Sequence, residues 1–120
     1  MKFTFGIITS SVVSNQVIES IINQNIPEYE IIIVGGNNEY KNYDVNHFHF
    51  DETSGKFTAK KNGITRHAKY ENIVYMHDYY FLKEDWYKGF KEFGNDWDIS
   101  MNVILNQDNS RFRDWIICYD

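Results

Sequence analysis

The sequence is poor in the residues that constrain a chain covalently or conformationally. Cys118 is the only cysteine, so no intrachain disulfide can form and a reducing, cytoplasmic setting is expected. Pro27 is the only proline, which leaves no proline-rich hinge to divide the chain. No apolar run approaches the roughly 20 residues of a membrane span. The opening Met1-Lys2-Phe3-Thr4-Phe5-Gly6 lacks the apolar stretch of a signal peptide, so a soluble protein is expected. Basic charge is scarce as well, with 12 Lys and Arg against 17 Asp and Glu, a net −5. Proteins that grip the nucleic-acid backbone are usually basic, so no nucleic-acid partner is expected. The one local basic patch is Lys56, Lys60, Lys61 and Arg66.

Apolar side chains are plentiful. Of 120 residues 42% are hydrophobic and 18% aromatic, which is enough for one folded domain and one core over residues 1–120. No internal repeat or low-complexity segment interrupts it. Phe3 to Ile8 reads as a first strand. Val13, Val17, Ile18, Ile21 and Ile22 recur at helical spacing and predict a helix from Ser14, its N-cap, to Asn25, with Pro27 preventing its continuation. Ile31-Ile32-Ile33-Val34 is a continuous β-branched run, as in a strand of residues 30–34 buried on both faces. Gly35 and Gly36 end it with a loop that permits close backbone approach.

His47-Phe48-His49-Phe50 alternates as a short strand. Lys56 to Tyr70 carries a partial helical stripe in Phe57, Ile64 and Ala68, weakened by Gly63. Residues 72–76 form a further core strand. Asp85 is placed to cap a helix bearing Trp86, Phe90 and Phe93, which Gly94 stops. Ile99 to Leu105 and Phe112 to Tyr119 read as closing strands around a turn at Asn106 to Ser110. Alternation of strands and helices predicts an α/β fold, a three-layer α/β/α domain with a mainly parallel central sheet.

In a parallel sheet, ligands bind beyond the carboxyl ends of the strands. Four such ends carry polar or flexible residues: Thr9-Ser10, Gly35-Gly36, Asp51-Glu52 and His77-Asp78. Each is ordinary alone; together they point to a ligand crevice. Asp78, directly after a core strand, is placed to hold a metal or a phosphate-bound cation, or else caps the next turn. Lys60-Lys61-Asn62 either faces a phosphate or forms a solvated helix face. Of the four histidines only His77 is placed to matter. No P-loop, dinucleotide fingerprint or Ser-His-Asp motif is present.

Phe5-Gly6-Ile7-Ile8-Thr9, the stretch 20–34 ending Pro27-Glu28-Tyr29-Glu30-Ile31-Ile32-Ile33-Val34, Lys60-Lys61-Asn62-Gly63-Ile64 and Ile73-Val74-Tyr75-Met76-His77-Asp78 together resemble the donor half of family 2 glycosyltransferases of the GT-A fold, over residues 3–98. The resemblance implies a nucleotide-diphospho-sugar donor and an unknown acceptor. It implies that Thr9, Ser10, Gly35 and Gly36 hold base and ribose. It places the Asp-x-Asp metal motif at His77-Asp78-Tyr79, with Asp78 on Mn²⁺ or Mg²⁺ bridging the diphosphate. Asp51, Lys61 and His77 complete the expected donor site.

The sequence departs from the family in three ways. Gly35 or Gly36 stands where an Asp is usual. Tyr79 or Tyr80 replaces the second metal carboxylate, so metal affinity is expected to be reduced, with His77 assisting Mn²⁺ better than Mg²⁺. The family's acceptor half lies beyond Asp120, and the late carboxylates Asp108 and Asp114 do not sit in its base motif. The other readings are a non-catalytic nucleotide- or sugar-binding module and a receiver-like domain with Asp51 as phosphoacceptor. Thr9-Ser10, in place of the acidic pair that a receiver wants, counts against the latter. Trp97, Phe112, Trp115, Ile116 and Ile117 are apolar for a free sheet edge and point to a homodimer.

Overall fold

The structure, a computed structural model, describes residues 1–37, 39–50 and 56–112. Its elements are β1 (Phe3–Ile8), α1 (Asn15–Ile22), β2 (Tyr29–Val34), β3 (Asn46–Phe48), α2 (Phe57–His67), β4 (Asn72–His77) and α3 (Trp86–Phe93). The strands form one sheet in the order β3-β2-β1-β4. Every pairing is parallel. The α/β class and the parallel sheet are those expected. Among the described residues no helix is long and apolar enough to cross a membrane.

β1 is the middle of the molecule, and all of its residues are buried. Its alternation sorts the core. Phe3, Phe5 and Ile7 join Ile31 and Ile33 of β2 and Val17, Ile18 and Ile21 of α1 in one cluster, with Trp86, Tyr87 and Phe90 of α3 packed against it. Ile8, Ile32 and Val34 join Ile64 of α2 in a second, flanked by Phe48, Phe50 and Ile73. The two sets are the two faces that period 2 creates along a strand. Gly6 lets α2 settle on β1, since a Cβ there would lie 2.3 Å from Ile64 Cγ2.

Ser14 is the N-cap of α1, its hydroxyl accepting from Val17 N. The helix ends at Ile22 rather than Asn25, because Asn25 takes φ 56°. Buried Gln24 then ties it to α3. Its amide donates to Lys83 O at 2.7 Å and accepts from Tyr87 N at 3.0 Å. Gly94 stops α3 with φ 89°, as expected, but Asp85 precedes the helix without a side-chain cap bond.

The chain beyond α3 departs from the sequence reading. Residues 99–105 do not form a strand; one antiparallel bridge, Leu105 to Arg111, closes the turn between them. Ile99 is 86% exposed and Val103 62%. Alternating apolar residues become a strand only beside an edge that pairs with them, and none of the described strands does. Trp97 leans on Phe90 and Phe93, Phe112 is exposed, and the rest of the expected strand to Tyr119 lies outside the described residues, with Trp115, Ile116 and Ile117.

Candidate functional site

Register sets the site. Ile8 of β1 stands level with Val34 of β2 and His77 of β4, and Val34 with Phe48 of β3. The residues after each therefore emerge in one row: Thr9, Gly35, His49 and Asp78. Thr9 is the knot of this row. It is 3% exposed; its backbone N–H donates to Val34 O at 3.1 Å and its hydroxyl to Asp78 Oδ2 at 2.6 Å. The same hydroxyl accepts from Ser11 N. One residue thus couples the ends of β1, β2 and β4, and holds a half-buried carboxylate at their edge.

A buried lysine approaches the same turn. Lys60 is 1% exposed, and its Nζ donates to Thr9 O at 3.0 Å and Ser10 Oγ at 3.1 Å. Burial of a cation at this depth demands such partners. The sequence reading chose Lys61, whereas the structure brings Lys60 to Thr9 and Ser10 and leaves Lys61 half-buried beside His77. The readable signal was spacing: Lys60 precedes buried Ile64 by four residues and so shares its helix face. Ser10 itself is exposed.

The glycines after β2 are required by geometry. Gly35 and Gly36 take φ 105° and 68°, in the region that disfavours side chains. A Cβ on Gly36 would meet Ser11 O at 2.1 Å. Their carbonyls are occupied. His47 Nε2–H donates to Gly35 O at 2.7 Å and His49 Nδ1–H to Gly36 O at 3.3 Å, their rings 4.8 Å apart. Of the four histidines the sequence reading had kept only His77. The alternation of His47 and His49 suggests a shared face, but nothing in the stretch names the Gly35 and Gly36 carbonyls as partners, and His49 lies just past β3.

The end of β4 is built of rings. His77 packs against Phe57 at 5.9 Å, Tyr79 at 5.5 Å and Tyr80 at 5.7 Å between centroids, and Tyr79 meets Tyr80 at 4.6 Å. Phe57 is 57% exposed and Tyr79 67%. Beside them an open depression of about 500 Å³ is lined by Lys56, Phe57, Thr58, Ala59 and Asn62. Burial holds the His77 imidazole below its usual pKa, Lys61 adds to the effect, and Asp78 opposes it.

Among the described residues no three His, Cys, Asp or Glu side chains gather as a metal centre. Asp51 and Asp114 lie outside them. Asp108 is engaged by Ser110 within the 106–110 turn, whose bonds hold its carboxyl below the usual range. No family model matches this chain, and neither a curated protein nor a solved structure matches it.

Proposed function

We propose that the chain binds a nucleotide-diphospho-sugar along the carboxyl edge of its sheet, as a glycosyltransferase-like protein whose acceptor is unidentified. The observation that carries this reading is the Thr9–Asp78 hydrogen bond with Lys60 on the same turn. Thr9 thus ties a carboxylate through its hydroxyl and a buried lysine through its carbonyl, where an α/β sheet takes its ligands. Base and ribose would rest beside the turn of Gly35 and Gly36, whose own close approach is taken up by Ser11 O, with Thr9 and exposed Ser10 next to it.

The donor set fits a divalent ion only in the company of phosphate. Asp78 commits one oxygen to Thr9, which leaves its other lone pairs for Mn²⁺ or Mg²⁺. Such ions use one or two carboxylates and fill the remaining positions with water and phosphate oxygens. His77, held toward its neutral form, presents the protonation state that ligates Mn²⁺. A bound ion would neutralise the diphosphate and stabilise it as a leaving group. Lys60 and Lys61 supply positive charge to the same phosphates.

A second reading, a non-catalytic module that binds the nucleotide or its sugar, draws on a specific observation. Among the described residues the strand ends bring together a single carboxylate, Asp78, and it is already hydrogen-bonded. Transfer needs a positioned base for the acceptor hydroxyl, worth roughly 10²–10⁴-fold in rate. The cytoplasm, where the lone Cys118 stays reduced, is the proposed location. A two-fold dimer is the proposed assembly, to be checked by light scattering.

Calorimetry of UDP and GDP with and without Mn²⁺ tests the donor site. Binding that requires Mn²⁺, and falls at least tenfold in Asp78→Asn, is expected. Unchanged affinity and metal dependence in that variant removes Asp78 from the site. Sugar release from UDP-glucose and GDP-mannose with Mn²⁺ then separates the transferase from the binding module.

A further inference from the structure

The rings at the end of β4 are not explained by the core. Neither Phe57 nor Tyr79 belongs to either apolar cluster, and both present more than half of their surface to solvent. They are nonetheless organised, with His77 between Phe57 and Tyr79, the Tyr79 ring stacked on it and Phe57 edge-on. Exposed aromatics gathered beside an open depression mark a ligand contact more often than scattered ones do. Tyrosine in particular offers an apolar face with a polar tip.

Position in the row decides which part of a ligand would reach them. The glycine turn lies at the end of β2, Asp78 at the end of β4, and β4 is the outer strand on that side. A nucleotide whose base end rests by Gly35 and Gly36, and whose diphosphate reaches Asp78, sends its next group past Asp78 onto Tyr79 and Phe57. We infer that this cluster is a stacking platform for a pyranose ring, which lays its C–H face on Tyr79 or Phe57 and turns its hydroxyls to Lys56, Thr58 and Asn62. The polar residues rimming the open depression suit a hydroxylated ring. This inference rests on the donor reading for the direction in which the ligand runs. The same chemistry serves a sugar carried by the nucleotide or one presented as a free saccharide.

The test compares UDP with UDP-glucose, GDP with GDP-mannose, and free maltotriose, on the full chain with Mn²⁺. The variants are Tyr79→Ala, Phe57→Ala and Tyr79→Phe. The expected result is a sugar-dependent gain of at least about fivefold, the scale of one aromatic contact. Either alanine variant removes this gain while diphosphate affinity stays within twofold. Tyr79→Phe, which keeps the ring, retains it, a rescue that a misfolded site does not show. A gain confined to the nucleotide-sugars assigns the platform to the donor's sugar; binding of maltotriose that the alanine variants abolish assigns it to a free saccharide. Nucleotide-sugars that bind parent and alanine variants alike, with no maltotriose binding, overturn the inference and leave the donor site standing. Failure of every nucleotide overturns the donor reading, and maltotriose binding to the parent and its variants then decides the platform alone.

Discussion

The two ends of the row of strand termini are made of different material. Where β1 and β2 finish, the walls are backbone. Gly35 and Gly36 are buried, and the carbonyls of Thr9, Gly35 and Gly36 each accept a bond from Lys60, His47 or His49. Where β4 finishes, the walls are side chains, exposed at Phe57 and Tyr79 and half-buried at His77 and Tyr80, that rest on one another. The difference follows from position in the sheet. β1 and β2 carry clusters on both faces, so their ends inherit fixed neighbours, whereas β4 among the described residues pairs on one side only. A satisfied backbone end suits fixed recognition of one shape. A ring-built end suits contact with a group whose identity varies.

Substitutions at glycine break the first half of that comparison most directly. Gly36→Ala places a Cβ 2.1 Å from a backbone oxygen at positive φ, where neither partner can rotate away. A loss of about 3 kcal/mol is expected, combining left-handed strain and overpacking, read as a lower urea midpoint at unchanged slope. Gly6→Ala drives a methyl into buried Ile64, and a loss of about 1–3 kcal/mol is expected. A loss below 0.5 kcal/mol, on the order of a surface change, in Gly36→Ala would show that the β1–β2 end yields and that the contrast is wrong.

Lys60→Met comes next. It keeps the apolar stem but removes the donors to Thr9 O and Ser10 Oγ. A buried carbonyl that loses its partner costs about 1–3 kcal/mol, so a loss in that range is expected, along with weaker diphosphate binding. Lys61→Met, half-buried, should leave stability within about 0.5 kcal/mol. Equal effects from the two would erase the distinction between a lysine built into the turn and one beside it.

The contrast also explains what the sequence disclosed. Strands and helices through Gly94 were legible because their apolar spacing serves a core they all share: Phe3 to Ile8, Ile31 to Val34 and Val17 to Ile21 carry unmistakable periods. Residues 99–105 carry period 2 as well, yet form no strand, since pairing is a property of a neighbour and not of the stretch itself. The polar strand ends were legible at Thr9 and Asp78 because each directly follows a strand with an apolar run, fully buried in β1 but only partly so in β4, where Tyr75 is exposed. Their hydrogen bond, across 69 positions, was not, and neither was the His47 and His49 clamp, because both depend on which strands lie side by side. Lys60 was legible only through spacing: one position on a helix turns a side chain by about 100°, and its place four residues before buried Ile64 sets it, rather than Lys61, on the inner face.

A third glycine sharpens the packing argument at smaller cost. Gly63 lies on α2 one residue before Ile64, but a Cβ there meets its nearest atom, on Arg66, at 3.8 Å, and Val34 at 3.9 Å. Those are ordinary contacts. Gly63→Ala should therefore stabilise the protein by about 0.5–1 kcal/mol, through helix propensity and a less flexible unfolded chain. A gain at Gly63 set against a loss at Gly6 places the tight contact between α2 and the sheet at Ile64 alone. Destabilisation at both would mean that the whole helix is seated too close for any added methyl.

The smallest effect belongs to the ring-built end, where half-buried His77 titrates among its neighbours. Burial and then Lys61 lower the His77 pKa, against the pull of Asp78. NMR titration of the metal-free protein should find it below the ordinary value of about 6.5. Lys61→Met should raise it, and Asp78→Asn should lower it further. The sign for stability follows from proton uptake. With the folded value depressed, the unfolded chain binds the proton more readily as pH falls below about 6.5. The contribution from His77 is therefore fully present above that pH and is lost as pH falls through the folded value. His77→Gln should flatten the dependence in that window alone. A His77 resonance that titrates above the ordinary value would mean that Asp78 outweighs both burial and Lys61. The carboxylate would then be paired with an imidazolium, and the β4 end would be an ion pair rather than the neutral, ring-lined wall described above.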